Sequence, residues 1–261
     1  MDYKSTENWV LSRLPSYQAI GKKAYNPGLK NVVKFVSTLN LPVDSLNLIH
    51  VGGTNGKGST SSYISSILQE SNYQVGIFSS PHFFDFRERI KINNQKISKS
   101  FIVDFVNKYK SLIEELELSF FELSFCISLA YFVHNDVDYG VIEVGLGGRL
   151  DATNIINPLI SVITNISYDH TDILGNSLEM IALEKAGIFK KNSTIIVGER
   201  NDSVDEIFIN KANEVSSKIT FVPDYNDQKQ YSSVNYLNTN IKTAIYTCLL
   251  YTSPSPRDLA R

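Results

Sequence analysis

The chain has 261 residues, of which 43% are hydrophobic, so it can bury a sizeable core as one large domain or two small ones. Its formal net charge of −2 offers no overall basic field for a nucleic-acid partner. The polar first residues lack the apolar stretch of a signal peptide, and no run approaches the roughly 18 apolar residues of a membrane span. We therefore expect a cytoplasmic protein with neither nucleic-acid nor membrane partners.

Apolar patterns predict helices and strands that alternate along most of the chain. Two helices, at 5–14 and 28–40, precede the first strand. Strands are then expected at 47–51, 74–79, 139–144, 159–165 and 194–197, and helices near 59–71, 99–116, 119–134, 177–187, 203–216 and 238–249. An Asn-Asn pair within 91–100 predicts a short hairpin, and the polar segment 222–235 predicts a loop or an edge. This alternation predicts an α/β fold with a mainly parallel sheet and helices on both faces.

A glycine-rich turn follows the first strand, in the sequence NLIHVGGTNGKGST (47–60). Four glycines are expected to allow positive backbone φ angles and inward-facing N–H groups: Gly52, Gly53, Gly56 and Gly58. Because backbone N–H groups and a helix N-terminus favour anions, this turn predicts a site for nucleotide phosphates. The alternative is a glycine-rich turn between strand and helix that holds no ligand.

Polar side chains within this turn match the chemistry of a nucleotide. Lys57 supplies a point charge for the β- and γ-phosphates, and the hydroxyl of Ser59 or Thr60 can face Mg²⁺. The spacing departs from the common G-x-x-x-x-G-K-[ST] pattern, because only two residues separate the leading Gly53 from Gly56. A further glycine separates the lysine from the hydroxyls.

Three other predicted strands end in polar residues, at the edge where ligands of parallel sheets bind. Ser80 and His82 follow the second strand, Glu143 ends the third, and His170 follows the fourth. Nucleotide-bound Mg²⁺ takes one or two protein carboxylates, so Glu143 is the leading metal ligand, with Ser80 and His170 completing the sphere. The alternatives are a buried, hydrogen-bonded role for Glu143 and a capping role for His170.

Several further residues receive structural interpretations. Cys126 lies in an apolar helical run and is assigned to the core. His50 and His134 are expected to pack or to face solvent, whereas the role of His82 stays open. The glycines at 145–148 lack the spacing and the acidic partner of a dinucleotide-binding fingerprint.

Six sequence blocks, in order, resemble those of folylpolyglutamate synthase and dihydrofolate synthase, members of the Mur ligase superfamily. The matching blocks are HVGGTNGKGST (50–60), SSPHFFDFRERI (79–90), FFELSF (120–125), VIEVGLGGRLDATN (141–154), ISYDHTDILGNSLEMIALEKAGIFK (166–190) and YLNTNIKTA (236–244). The resemblance covers residues 5–249 and implies the P-loop NTPase-like central domain of a Mur ligase. Its short glycine loop is the form that this family uses.

The resemblance also implies a reaction. ATP and Mg²⁺ would phosphorylate a carboxylate of dihydropteroate or of a folate glutamate, and the amino group of L-glutamate would attack the acyl phosphate. The expected nucleotide site comprises Gly53, Thr54, Asn55, Gly56, Lys57, Gly58, Ser59, Thr60 and, at the adenine, Asn240. The expected metal ligands are Ser59, Ser80, Glu143 and His170. Phe121, Asp151 and Ala152 would line the pterin side, and Lys57, Lys185 and His170 would serve catalysis, with Lys185 carried as a carbamate.

The domain organisation is expected to depart from the family pattern. Residues 1–249 would form the ATP-binding domain, while the proline-containing residues 250–261 resemble a non-native tail. The smaller C-terminal domain, which forms the glutamate site in this family, is expected to be absent. We therefore expect a monomer that binds Mg-ATP without completing the ligation. The alternatives are another Mur-type amide ligase and a nucleotide-binding fragment without catalysis.

Overall fold

The computed structural model describes residues 1–14, 28–224 and 229–252, which form an eight-stranded sheet. The strands are β1 (Leu48–Gly52), β2 (Val75–Phe78), β3 (Ile90–Ile92), β4 (Gln95–Lys96), β5 (Tyr139–Glu143), β6 (Ile160–Ile163), β7 (Thr194–Val197) and β8 (Lys218–Phe221). Their order across the sheet is β4-β3-β2-β5-β1-β6-β7-β8. Among the described strands, only the β2–β3 and β3–β4 pairs are antiparallel, so the predicted mainly parallel sheet is confirmed.

Helices cover both faces of this sheet, as predicted. They are α1 (Tyr3–Arg13), α2 (Lys30–Leu39), α3 (Lys57–Glu70), α4 (Lys99–Glu115), α5 (Phe120–His134), α6 (Thr171–Leu174), α7 (Leu178–Ala186), α8 (Asp205–Glu214) and α9 (Asn235–Thr252). Helices α3 and α9 pack on one face, and α5, α7 and α8 on the other. Within the described ranges, no helix is both long and apolar enough to cross a membrane.

Helix α5 is buried on nearly all sides, between the sheet and the outer helices α2 and α4. Its sequence FFELSFCISLAYFVH is apolar around the whole circumference, which is the pattern of an interior helix. Ser119 and Glu122 form a reciprocal capping box that begins it, because each side chain accepts a backbone N–H of the other residue. Cys126 is buried in this helix, so its assignment to the core is confirmed.

The predicted hairpin is present as β3 and β4. Asn93 and Asn94 join the two strands with φ angles of 45° and 63°. Two consecutive residues with positive φ match the twist of antiparallel strands, and asparagine tolerates that conformation better than most residues. The side chain of Asn93 also accepts the backbone N–H of Val75 at 2.8 Å, which ties the turn to β2.

The C-terminal end differs from the predicted elements at two points. Strand β8 was not predicted, because four residues at a sheet edge carry too little periodicity and become a strand through pairing with β7. Helix α9 runs to Thr252, so the expected tail boundary at residue 250 lies within a helix. Residues 253–261 of that tail, and 225–228 of the expected loop at 222–235, lie outside the described residues; 222–224 form a single 3-10 turn.

Candidate functional site

The turn after β1 leads directly into the N-terminus of α3. Gly53 has a φ of 134°, and Gly56, with a φ of 79°, is the residue that precedes the helix. The expectation of positive φ was wrong for Gly52 and Gly58, which lie in β1 and α3. Gly52 instead allows close approach, because an added methyl group would lie 3.1 Å from Ile188 Cδ1. An added methyl group on Gly58 would lie at ordinary contact distance, 3.5 Å, from a carboxylate oxygen of Glu143.

Residues that follow β6 hold the turn in shape. The backbone oxygen of Asn165 accepts the Thr54 N–H at 2.9 Å, and its side-chain oxygen accepts the Asn55 N–H at 3.0 Å. The Thr164 hydroxyl donates to the Asn55 carbonyl at 2.6 Å. Thr164 and Asn165 were not singled out in the sequence, because their role depends on β6 lying beside β1. The turn is therefore preformed by its neighbour in the sheet.

Two lysine side chains meet at one carbonyl of this turn. Lys57 Nζ lies 3.0 Å from the Gly53 oxygen and 2.9 Å from the Thr54 oxygen, and Lys185 Nζ, from α7, lies 2.8 Å from the same Gly53 oxygen. Lys185 is only 3% exposed, so it is not a solvent-facing cation on a helix surface. Burial, followed by the charge of Lys57, lowers the pKa of Lys185 to about 7. Burial also lowers the pKa of Lys57.

Glu143 lies at the end of β5, above the first turn of α3. One of its carboxylate oxygens accepts the Ser80 backbone N–H at 3.1 Å, which brings together the ends of β2 and β5. Burial raises the pKa of Glu143 to about 7, against the opposing effects of that hydrogen bond and of the nearby charges of Lys57 and Arg89. Glu143 is therefore buried and hydrogen-bonded, and it also lies beside the glycine turn.

The two candidate hydroxyls of α3 differ in accessibility. Ser59 is partly exposed, whereas Thr60 is fully buried and its hydroxyl has no hydrogen-bond partner among the described residues. Ser59 is therefore the hydroxyl that a ligand at the helix N-terminus can reach. Asn240 of α9 is buried against the other side of the turn, where an added methyl group on Gly56 would lie 2.7 Å from its Nδ2 atom.

Phe121 and Asp151 converge on Gly145, which follows β5. An added methyl group on Gly145 would lie 2.5 Å from Phe121 Cζ and 3.0 Å from Asp151 Oδ2. That Asp151 oxygen accepts the Leu146 N–H at 2.8 Å, while Oδ1 accepts the Thr153 N–H at 3.0 Å. Burial raises the pKa of Asp151 against these hydrogen bonds. Ala152 is buried in the 3-10 turn that Asp151 caps.

His170 lies on the loop after β6, at the same edge of the sheet. It precedes α6 with a φ of 46°, and its Nε2 atom lies 3.6 Å from Asp169 Oδ2. The His170 side chain forms no capping hydrogen bond with α6, so the alternative capping role is not observed for this side chain. Within the described ranges, no three His, Cys, Asp or Glu side chains come close enough to hold a metal by themselves.

Arg89 is a charged residue of this edge that the sequence interpretation missed. Its backbone oxygen accepts the Ser79 N–H at 2.9 Å, which places it beside Ser80. Its Nε atom donates to His82 Nδ1 at 2.8 Å, and its guanidinium lies 4.9 Å from the centre of the Phe120 ring. Burial lowers the pKa of Arg89 to about 10, and the charge of Glu143 opposes that effect. The sequence signal was an arginine within a turn, which alone predicts exposure.

The other histidines have structural surroundings. His50 is fully buried and His134 is exposed, as the sequence interpretation allowed. His82 packs against the rings of Phe86 and Phe120 and accepts the hydrogen bond of Arg89, so its ring is neutral in this arrangement. Burial and the neighbouring guanidinium lower its pKa.

Comparison with known proteins places this geometry in a family. The model of the Mur ligase middle domain matches residues 51–249. The chain is 40% identical over 201 residues to the dihydrofolate synthase/folylpolyglutamate synthase of Bacillus subtilis (strain 168), which covers 74% of the chain and 45% of that relative. The chain thus spans less than half the length of this relative.

Solved structures support the same placement. A folylpolyglutamate synthase complex with AMPPCP and folate superposes with a TM-score of 0.85 at 26% identity, over 96% of this chain and 67% of that chain. A bifunctional folylpolyglutamate synthase/dihydrofolate synthase with Mn, AMPPNP and L-glutamate bound gives a TM-score of 0.75 at 30% identity, over 89% and 60% of the two chains. With the glycine turn, the sheet order and the matched residues in agreement, the chain belongs to the Mur ligase family, whose middle domain it contains.

Proposed function

We propose that this chain supplies the ATP-binding portion of a ligase that joins L-glutamate to dihydropteroate or to a folate glutamate. The observation that carries the proposal is the meeting of Lys57 and Lys185 at the Gly53 carbonyl, with Glu143 above the start of α3. Two buried ammonium groups on one carbonyl are poorly compensated, so an anion beside them would be strongly favoured. The similarity to the bifunctional synthases supports the identity of the substrates.

ATP fits the turn through backbone and lysine groups. The N–H groups of the preformed turn and of the first turn of α3 are suited to the phosphates, and Lys57 adds its charge. Asn240 lies on the far side of Gly56, which supports a contact with the base. The charge of the phosphates would compensate Lys57 and would oppose the effect of burial on its pKa.

A divalent metal fits the oxygen atoms at the start of α3. The Ser59 hydroxyl, the Glu143 carboxylate and Ser80 lie near this point, and His170 is on the adjoining loop. Because the described side chains form no complete metal cluster, the nucleotide phosphates would provide further ligands, as Mg²⁺ prefers. When bound, Mg²⁺ would neutralise the negative charge that spreads over the transferred phosphoryl group.

The reaction itself needs two displacements. A carboxylate oxygen of the pterin-bearing substrate attacks the γ-phosphorus, the bond to the β-phosphate oxygen breaks, and ADP leaves. The nitrogen of L-glutamate then attacks the acyl carbon, phosphate leaves, and the nitrogen loses a proton. Phe121 offers a ring face and Asp151 an acceptor for the substrate, while Lys57 stabilises the negative charge of the phosphoryl group.

We also propose that Lys185 carries a carbamate. The neutral amine is the form that attacks CO₂, and a pKa of about 7 leaves much of this side chain neutral at physiological pH. The neutral nitrogen forms a bond to the carbon of CO₂ and releases one proton, so the neutral amine becomes an anion; from the ammonium form, two protons are released in all. Beside Lys57 that anion would be paired, which removes the repulsion between the two lysines. Intact-mass measurement under bicarbonate should detect the mass of one CO₂, lost in Lys185→Ala.

The first test measures the thermal midpoint of the chain with and without Mg-ATP. A ligand that binds the native state alone raises the midpoint, so the wild type should shift and Lys57→Ala should not. Lys190→Ala is the matched control, because Lys190 also donates from a partly buried site to a carbonyl, that of Asn154 at 2.8 Å, but lies away from the glycine turn. An equal shift in Lys57→Ala and the wild type would contradict the proposed site.

A second candidate function is nucleotide binding without ligation. The chain spans 45% of the Bacillus subtilis relative, so groups that complete the ligation can reside in the unmatched part. Incubation of the chain with Mg-ATP, dihydropteroate and L-glutamate distinguishes the two functions. Formation of the amide supports the ligase, whereas an ATP-dependent midpoint shift without amide supports the binding fragment.

A further inference from the structure

A fully buried histidine lies directly behind the proposed substrate side. His50 is in the middle of β1, two residues before Gly52, and is completely inaccessible to solvent. Neighbours Ile49 and Val51 point to the face covered by α3, so His50 points to the opposite face. There its Nε2 atom lies 2.8 Å from the hydroxyl of Thr153, which belongs to the 3-10 turn Ala152–Ile155.

The direction of this hydrogen bond follows from the next one. The Thr153 hydroxyl donates its single proton to Asp151 Oδ1 at 2.5 Å. A hydroxyl that has given its proton to a carboxylate can only accept from the imidazole, so His50 must carry its proton on Nε2. The Nδ1 atom of His50 has no hydrogen-bond partner among the described residues, as expected for the unprotonated nitrogen.

The ring is also kept neutral. Burial, followed by the charge of Lys190, lowers the pKa of His50 to about 3. A neutral ring with the proton on Nε2 allows one arrangement of these hydrogen bonds, in which His50 donates to Thr153 and Thr153 donates to Asp151. Successive hydrogen bonds of this kind polarise and strengthen one another in a buried environment.

These hydrogen bonds act on the carboxylate of Asp151. Its carboxylate is buried, and burial favours the protonated form, while the hydrogen bond from the Thr153 hydroxyl is the largest opposing effect on its pKa. The same bond fixes Oδ1, which leaves Oδ2 at the Leu146 N–H, beside Gly145 and Phe121. The Thr153 hydroxyl therefore orients the carboxylate and opposes the effect of burial on its pKa.

We propose that His50 is a positioning residue that holds Asp151, through Thr153, as an oriented acceptor for the N–H groups of a flat heterocyclic substrate. The inference rests on the proposed function, because it takes Asp151 to lie on the pterin side of the site. His50 does not touch the substrate. It acts through the direction of the Thr153 hydroxyl, and it links the substrate side to the strand that carries the glycine turn.

Paired variants test this inference in the full chain. Thr153→Val and His50→Leu remove the hydrogen bonds, whereas Thr153→Ser keeps the hydroxyl and His50→Gln can keep a donor to it. The readouts are the dissociation constant for pteroate and the midpoint shift with Mg-ATP. We expect pteroate binding to weaken about tenfold or more in Thr153→Val and His50→Leu, and about threefold or less in Thr153→Ser and His50→Gln. The midpoint shift with Mg-ATP should be retained in all four variants.

The outcomes separate this inference from the proposed function. If the wild type binds pteroate and the disrupting variants bind it equally well, the positioning role is overturned and the proposed function stands. If the wild type does not bind pteroate, the substrate assignment fails and the positioning role fails with it. Weakened pteroate binding together with a lost ATP shift would show general disruption and would also contradict the specific role.

A measurement on the unmodified protein guards against variants that do not fold. The ¹⁵N chemical shifts of the His50 ring report which nitrogen carries the proton. We expect protonated Nε2 and unprotonated Nδ1 in the wild type. A ring protonated on Nδ1 would overturn the proposal without any substitution, since Thr153 would then donate to His50 instead of Asp151.

Discussion

The two sides of the candidate site concentrate opposite charges at one edge of the sheet. On the nucleotide side, Lys57 and Lys185 share the Gly53 carbonyl. On the carboxylate side, Glu143 of the proposed metal site and Asp151 of the proposed pterin side are both buried. Burial is the first cause of every pKa shift in this group, lowering the values of the lysines and raising those of the acids.

The difference between the two sides lies in how each is held. The lysines rest on backbone carbonyls of a turn that β6 supports, so the nucleotide side depends on main-chain geometry. Asp151 is held by Thr153 within a capped turn, and Glu143 is held by the N–H of Ser80, which is far from it in the chain. The carboxylate side therefore depends on individual side-chain hydrogen bonds. The first should be broken by backbone changes and the second by side-chain changes.

The largest effect is expected from Gly53→Ala, which breaks the nucleotide side. A methyl group there would overlap the Thr164 hydroxyl, and the φ of 134° is unfavourable for any other residue. Strain and overlap together should lower the free energy of unfolding by about 4 kcal/mol and abolish the Mg-ATP midpoint shift. Urea denaturation measures the first effect and a thermal scan the second.

Gly28→Ala is the matched control for that change. Gly28 has a similar φ of 149°, but no atom of another described residue, its chain neighbours aside, lies within 4 Å of an added methyl group. Gly28→Ala should therefore show the backbone strain without the overlap. Its free energy of unfolding should fall by about 1–2 kcal/mol, and its thermal midpoint should still shift with Mg-ATP. Equal losses in the two variants would mean that contact with Thr164 does not shape the turn.

A smaller effect is expected from Glu143→Gln, which tests the carboxylate side through the pH dependence of the free energy of unfolding. The pKa of Glu143 is about 7 in the folded protein against an ordinary value of 4.5. The folded state therefore keeps this proton to higher pH than the unfolded chain. Without nucleotide, the cost of burying the carboxylate appears as pH rises from about 4.5 to 7 and is absent below that window.

Glu143→Gln should remove this cost. Relative to the wild type, it should gain stability between pH 4.5 and 7 and then stay level, with a total gain of about 3 kcal/mol in the free energy of unfolding. Denaturation at several pH values in EDTA measures it. Glu214→Gln, at an exposed position on α8, should follow the wild-type profile. Parallel profiles for Glu143→Gln and wild type would contradict the buried charge.

The smallest effect is expected on the surface turn at residues 83–85, which follows β2 and Ser80. Phe83 and Phe84 are 85% and 97% exposed, on a turn whose N–H groups at residues 83, 84 and 85 donate to the Glu88 carboxylate at 2.8, 3.4 and 3.1 Å. Glu88→Ala should raise hydrogen exchange at these amides with little change in thermal midpoint, since the turn is at the surface. Glu115→Ala, which breaks an exposed ion pair with Lys34, is the control. Unchanged exchange would show that Glu88 does not order the turn.

Much of the fold was predictable because its signals are local. The alternation of apolar strands and amphipathic helices, the Asn93-Asn94 turn and the glycine turn before Lys57 each depend on residues close together in the chain. Strand β8 escaped prediction because it exists through pairing with β7. The positive φ expected of Gly58 was wrong because this glycine already lies in α3, the helix that begins at Lys57.

The sequence by itself determined the α/β class, the glycine-rich turn between β1 and α3 and the identity of the residues at the strand ends, because strand direction brings those ends to one edge. The tertiary structure alone decided that Lys185 meets Lys57 at Gly53, that Arg89 is buried beside His82, and that His50 reaches Asp151 through Thr153. These arrangements depend on burial and on contacts between distant segments. Neither leaves a periodic pattern along the chain, so only the folded molecule shows them.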